Sequence, residues 1–186
     1  ALNETSPDTV ALIDGDLHCT YGDLAQRIDR LAGGLLAGAA DLKEARVAFL
    51  TPASVEYVTA LHGVWRAGGI AIPLNVAATE PEWEHCLTSA GVTRLLTTEA
   101  NRESIENLCE RLSIPLALVD EVAAELPVTL PELAPERRAM IVFTSGTTSK
   151  PKGAVTTHGN IAAQISTLID AWAWQSEEVI PPLLTT

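Results

Sequence analysis

The chain has 186 residues, of which 47% are hydrophobic, so it can bury a sizeable core as one domain or as part of a larger one. Its 24 acidic residues outnumber 12 basic ones for a net charge of −12, a surface that repels phosphate backbones and excludes nonspecific nucleic-acid binding. The longest apolar run, Leu31 to Ala40, is ten residues with three glycines, too short to cross a bilayer.

Val10 to Ile13 and Leu17 to Thr20, split by Asp14-Gly15-Asp16, predict a small hairpin. Thr20 with Asp23 three residues on reads as a capping box opening a helix. Tyr21, Leu24, Ile28, Leu31 and Leu35 form its apolar face, and Gly38 ends it. Gly34 and Gly38 also match G-x-x-x-G, which outside a long apolar span merely allows close packing. Arg46 to Leu50 is a strand, followed by a helix from about Ser54 with Val55, Val58, His62 and Trp65 on one stripe. Gly68-Gly69 stops it, and Ile70 to Leu74 is again a strand. Thr79, with Pro81 just inside, opens a helix that runs to Gly91.

Arg94 to Thr97 is a strand, Glu99 to Leu112 a helix with Ile105, Leu108 and Leu112 inward, and Pro115 to Val119 a strand. The segment from Asp120 to Pro135 carries three prolines and several acids, and reads as a surface connection. Ala139 to Val142 leads into the stretch Phe143-Thr144-Ser145-Gly146-Thr147-Thr148-Ser149-Lys150-Pro151-Lys152-Gly153. Ala154 to Thr157 forms a return strand. A last helix follows from Thr157 or His158, with Ile161, Ile165, Leu168 and Trp172 on one face. Trp172 and Trp174 read as core or rim packing, and His158 as a surface residue near the 144–153 loop. The alternation of strands and helices is that of an α/β fold, a mostly parallel sheet with helices on both faces, whose ligands lie beyond the carboxyl ends of the strands.

Hydroxyls, two glycines and two lysines emptying from a buried strand suit a polyphosphate. Small residues let backbone N–H groups point inward, hydroxyls add neutral donors, and Lys150 and Lys152 bring charge. The order is not G-x-x-x-x-G-K-[ST], because Gly153 follows both lysines, nor is it G-x-G-x-x-G. The plain alternative is a polar hairpin between two strands. Three cysteines, Cys19, Cys86 and Cys109, form no CxxC and fit a reducing compartment. The pairs His18-Cys19 and His85-Cys86 invite a zinc reading, but adjacent side chains diverge, and buried structural thiols are the better expectation. No basic, apolar leader opens the chain, which reads as cytoplasmic.

The loop resembles the phosphate-binding signature T-S-G-T-T-G-x-P-K-G of adenylate-forming, AMP-binding enzymes. These include acyl-CoA synthetases, firefly-type luciferases and the adenylation domains of peptide synthetases. Ser149 stands where glycine is usual, a mild change at negative φ and a strained one at positive φ. Thr20 to Leu24 is similar to the early T-Y-x-E-L segment of that family, and Arg66 to Asn75 to its K-A-G-x-x-x-x-P-L-D segment. The resemblance implies a carboxylic acid activated by ATP to an acyl-adenylate with loss of pyrophosphate, then transferred to a thiol, commonly coenzyme A.

It further implies that Thr144, Ser145, Gly146, Thr147, Thr148, Ser149 and Gly153 surround the nucleotide phosphates. Lys152 is then the charged contact, and Lys150, at the variable position, supplements the field. ATP, Mg2+ and coenzyme A are the implied cofactors, and a small carboxylic acid of the malonyl, medium-chain or general fatty acyl type is the implied substrate. By the same resemblance, residues 1–186 are the amino-terminal portion of the large AMP-binding domain. The magnesium-binding acidic segment, the ribose-binding aspartate, the hinge and the catalytic lysine of a small carboxy-terminal domain are not among them. No catalytic residue is therefore assigned here, and the segment alone is expected to be inactive. Two alternatives stay open: an amino-acid adenylation domain, and a noncatalytic relative that binds a nucleotide or a partner.

Overall fold

The computed structural model describes residues 6–125, 127–144 and 151–175. Strands β1 (Val10–Asp14) and β2 (Leu17–Thr20) form an antiparallel hairpin outside the main sheet. The main sheet has six strands in the order β6-β5-β3-β4-β7-β8. They are β3 (Arg46–Leu50), β4 (Ile70–Pro73), β5 (Arg94–Thr97), β6 (Leu116–Leu118), β7 (Arg138–Thr144) and β8 (Lys152–Thr157). All neighbours are parallel except β7 and β8. The fold is the mostly parallel α/β sheet that the alternation predicts, closed on one side by an antiparallel edge strand.

Period-2 geometry lets each central strand feed two cores. Val47 and Phe49 of β3 face helices α1 (Tyr21–Leu36) and α2 (Val55–Arg66), while Ala48 and Leu50 face α3 (Glu80–Ala90) and α4 (Glu99–Leu112). The helix starts are set by side chains. Asp23 N donates to Thr20 Oγ1 at 3.1 Å and Thr20 N to Asp23 Oδ2 at 3.3 Å, the capping box the sequence predicts. Thr79 with Glu82 makes a second, and Asp14 of the hairpin accepts from Val55 N at 3.2 Å at the start of α2.

Local details differ from these expectations. The C-cap of α1 falls on Ala37 (φ 47°), and Gly38 (φ 89°) continues the left-handed stop, where a Cβ would meet nothing within 4 Å. On α2 the buried stripe is Val55, Thr59, Ala60, Gly63 and Val64, with His62 and Trp65 only half-buried beside it. A Cβ at Gly63 would lie 2.7 Å from Leu31, so it is the small residues that allow α1 and α2 to touch. The 120–135 connection keeps to the surface as expected, with none of its described residues buried, yet it packs over α1 as a strap. It carries the chain from the β6 edge across α1 to β7, with Ala124 N donating to Arg30 O at 3.0 Å and Val122 and Leu130 against the core. Gly33 and Gly34 admit it, since a Cβ on either would stand under 3 Å from Val128 or Ala123.

Helix α5 (His158–Trp172) forms where expected but buries no residue. Ile165 and Trp172 are 50% and 58% exposed, and Trp172 stacks edge-on with Trp174 (centroids 5.0 Å apart), not into the core.

Candidate functional site

β7 runs parallel to β4, so Thr144 at its end lies on the carboxyl edge of the sheet, level with the ends of β3, β4, β5 and β6. Lys152 opens β8 directly opposite Thr144, and Gly153 opposite Phe143. The described limbs of the predicted phosphate loop thus meet side by side at that edge. Ser145, Gly146, Thr147, Thr148, Ser149 and Lys150 lie outside the described residues. Gly153 has a packing reason: a Cβ there would stand 2.9 Å from Ile141 Cγ2 and 3.3 Å from Phe143 Cζ, so only glycine lets β8 close on β7 without a shift.

Lys152 and Thr144 are both exposed, and Lys152 has no ion pair among the described residues. An ammonium group free of carboxylates is the local positive field that a chain of net charge −12 needs to attract an anion. The neighbouring carboxyl-edge turn after β4 is pinned: Asn75 Oδ1 accepts from Ala77 N at 3.0 Å, and Asn75 O from the Trp83 indole at 2.8 Å. Beneath helix α3, a cavity of about 260 Å³ runs along this face past Ser89, Ile141, Phe143, Gly153 and Val155. A larger one, about 440 Å³, lies between β2, α1 and the strap, lined by Arg27, Arg30 and Asp120, and touches none of the predicted loop residues.

His158 is not beside the loop. β8 is six residues long and antiparallel to β7, with Thr157 opposite Arg138, so it carries His158 to the amino edge of the sheet. There its ring meets Trp65 edge-on at 5.8 Å, and Trp65 meets His62 at 5.0 Å. Burial, and then the nearby Arg137 and Arg66 charges, hold the His158 and His62 pKa values below the ordinary 6.5. The same edge is tied by Arg137, whose guanidinium grips Asp41 in a fork and donates to Gly68 O at 2.7 Å, and by Arg138 on Glu44 at 2.9 Å. These partners lower the pKa values of Asp41 and Glu44, chiefly through side-chain hydrogen bonds.

All three cysteines are buried, as expected of structural thiols, with Cys19 and Cys86 in separate clusters. Burial raises each thiol, Cys109 to about 11, so none is an activated nucleophile. His85, adjacent to Cys86, turns out to contact the loop. Its Nε2 lies 2.9 Å from Pro151 O across 66 residues of sequence, a separation at which no local pattern signals a contact.

The sheet, its capped helices and its carboxyl-edge hairpin together define a mostly parallel α/β domain with a candidate anion site at its carboxyl edge. A family model described as AMP-binding enzyme matches residues 2–183, and the chain belongs to that family. Among curated relatives it is 37% identical over 187 residues to the mitochondrial malonate–CoA ligase of Mus musculus, covering 93% of this chain and 32% of that protein. It is 34% identical over 161 residues to the feruloyl-CoA synthase of an Amycolatopsis species, covering 84% and 32%. Among solved structures, ATP-bound MatB from Rhodopseudomonas palustris superposes with a TM-score of 0.77 at 27% identity, covering 92% of this chain and 37% of that one. The chain spans about a third of the length of the curated relatives it matches. Among the described residues, no helix is long and apolar enough to cross a membrane.

Proposed function

We propose that the chain belongs to an ATP-dependent carboxylic acid–coenzyme A ligase, in which residues 1–186 supply part of the large AMP-binding domain and the loop 144–153 grips the nucleotide phosphates. The observation that carries this reading is the register of the hairpin. Thr144 and Lys152 stand opposite each other at the carboxyl edge, one with a hydroxyl and the other with an ammonium that pairs with no carboxylate among the described residues. An anion there gains a hydrogen bond and a charge from two strands already held in place, which is how preorganised donors favour charge that builds up as a leaving group departs. Ser145, Gly146, Thr147, Thr148 and Ser149 are proposed to complete the cradle on the strength of the motif.

Coenzyme A as acceptor is supported by the ligases among the relatives, and a short dicarboxylic acid or an aromatic acid as substrate by the malonate and ferulate names they carry. Among the described residues no group of three or more His, Cys, Asp or Glu side chains could hold a metal ion. Magnesium would accompany the phosphates of ATP. A cytoplasmic setting is proposed from the free, buried thiols, which fit a reducing compartment.

The test is pyrophosphate release by the full-length protein with ATP and a panel of acids including malonate, short and medium fatty acids and ferulate, with coenzyme A present or absent. At least one acid should give pyrophosphate and AMP in equal amounts and a coenzyme A thioester. Release with amino acids alone, or with no acid at all, would overturn the ligase reading.

A further inference from the structure

Helix α3 covers the face on which β7 and β8 pair, and His85 reaches from it to both limbs of the hairpin. Its ring meets Phe143 of β7 nearly edge-on, with centroids 6.2 Å apart and planes at 74°. Its Nε2 lies 2.9 Å from the carbonyl oxygen of Pro151, and its Nδ1 3.2 Å from Ser89 Oγ one turn along the helix. A carbonyl can only accept, so Nε2 carries the proton; in the neutral ring, Nδ1 then accepts from the serine hydroxyl. The Pro151 carbonyl thereby selects the tautomer, and Ser89, whose hydroxyl can donate, holds the ring plane that the contact requires.

Pro151 directly precedes Lys152. The peptide joining them is planar, with its C=O and N–H pointing in opposite directions when trans. Holding the Pro151 carbonyl toward α3 therefore sets the orientation of the Lys152 N–H and the place of its Cα, and with the backbone extended in β8 that fixes where the lysine stem departs. A lysine side chain has several rotatable bonds, so its backbone is the part a protein can preorganise cheaply. We infer that His85 is a positioning residue for Lys152, anchoring the return limb of the phosphate hairpin to helix α3 so that the ammonium meets the nucleotide.

This inference rests on the proposed nucleotide role of the loop, and two substitutions separate it from simple packing. His85→Phe keeps a ring against Phe143 but removes the donor, whereas His85→Gln keeps an N–H near the Nε2 position and removes the ring. Steady-state pyrophosphate release by the full-length protein would be measured for both, with amide hydrogen exchange at Lys152 and Gly153 and the melting temperature. If His85 positions Lys152, the Phe variant loses about five- to tenfold in kcat/KM for ATP, the loss of one hydrogen bond. It also exchanges faster at Lys152 and Gly153 with an unchanged melting temperature, and the Gln variant stays within about twofold of wild type.

The reverse pattern, a harmless Phe and a damaging Gln, would overturn the inference in favour of packing, and two silent variants would overturn it outright. Should the wild type release no pyrophosphate with any acid, the ligase reading falls by itself. The exchange measurement then still decides the anchor, with equal rates in all three proteins refuting it.

Discussion

The two edges of one sheet are built from opposite electrostatic materials. At the amino edge, where β7 begins and β8 ends, the two arginines at the start of β7 are spent on carboxylates. Arg137 holds Asp41 and the Gly68 carbonyl, Arg138 holds Glu44, and two histidines are kept neutral against Trp65. At the carboxyl edge, seven residues along β7, Lys152 has no carboxylate partner among the described residues and faces a threonine. The arginines at the start of β7 are satisfied internally and serve the fold, while the lysine at the start of β8 is a cation available to an anion from solution. An acidic chain that repels phosphate globally can attract it locally only where such a charge is left unpaired.

The sharpest way to break this contrast is to remove the free charge. Lys152→Ala in the full-length protein should slow pyrophosphate release by about 10- to 1000-fold while leaving the melting temperature where it was. An unchanged rate would mean that the carboxyl-edge ammonium plays no part in catalysis. Changes at the amino edge should do the converse. Gly68 sits at φ +81°, and a Cβ there would fall 2.1 Å from Asp41 Oδ1, so Gly68→Ala strains the backbone and displaces the Asp41–Arg137 fork together. That variant, or Arg137→Ala, should cost about 2 kcal/mol of stability in denaturant unfolding. Unfolding midpoints equal to wild type would show the fork to be idle.

A smaller effect is expected on acidification. His62 and His158 have folded pKa values below the ordinary 6.5, so the unfolded chain takes up their protons first. The unfolded state then binds more protons than the folded one, and stability falls as the pH drops below about 6.5. Asp41 and Glu44, also lowered, contribute stability that is present above about pH 4 to 4.5 and is lost as the pH falls further toward their folded values. Replacing His62 and His158 by Gln should flatten the first of these two steps in a plot of unfolding free energy against pH and leave the second. Persistence of the upper step would assign it to other groups.

The elements and the carboxyl-edge loop could be read in the sequence, and the missing parts have a common cause. Strands β3 and β5 and helix α4 fall where short apolar runs, caps and the 3.6-residue period put them, because those signals are local. The carboxyl-edge position of Thr144, Lys152 and Gly153 followed from the strand–loop–strand order. Three features depended on contacts between distant segments. The face of α2 was chosen by the fit of Gly63 to Leu31, which outweighs the larger residues on the neighbouring stripe. His158 moved to the opposite edge because β8 runs its full length antiparallel to β7 before the helix starts. His85 carried a sequence signal only as a neighbour of Cys86, whereas its contact with Pro151 exists because α3 packs over strands that come some fifty residues later.

The comparison of the two edges is tested most directly by amide hydrogen exchange on the full-length protein with and without ATP, read along β7 and β8. The account predicts slower exchange with ATP at Thr144, Lys152 and Gly153, and no change at Arg138, Ala139, Thr156 and Thr157. Protection confined to the amino-edge residues, or no protection at either edge at saturating ATP, would contradict it.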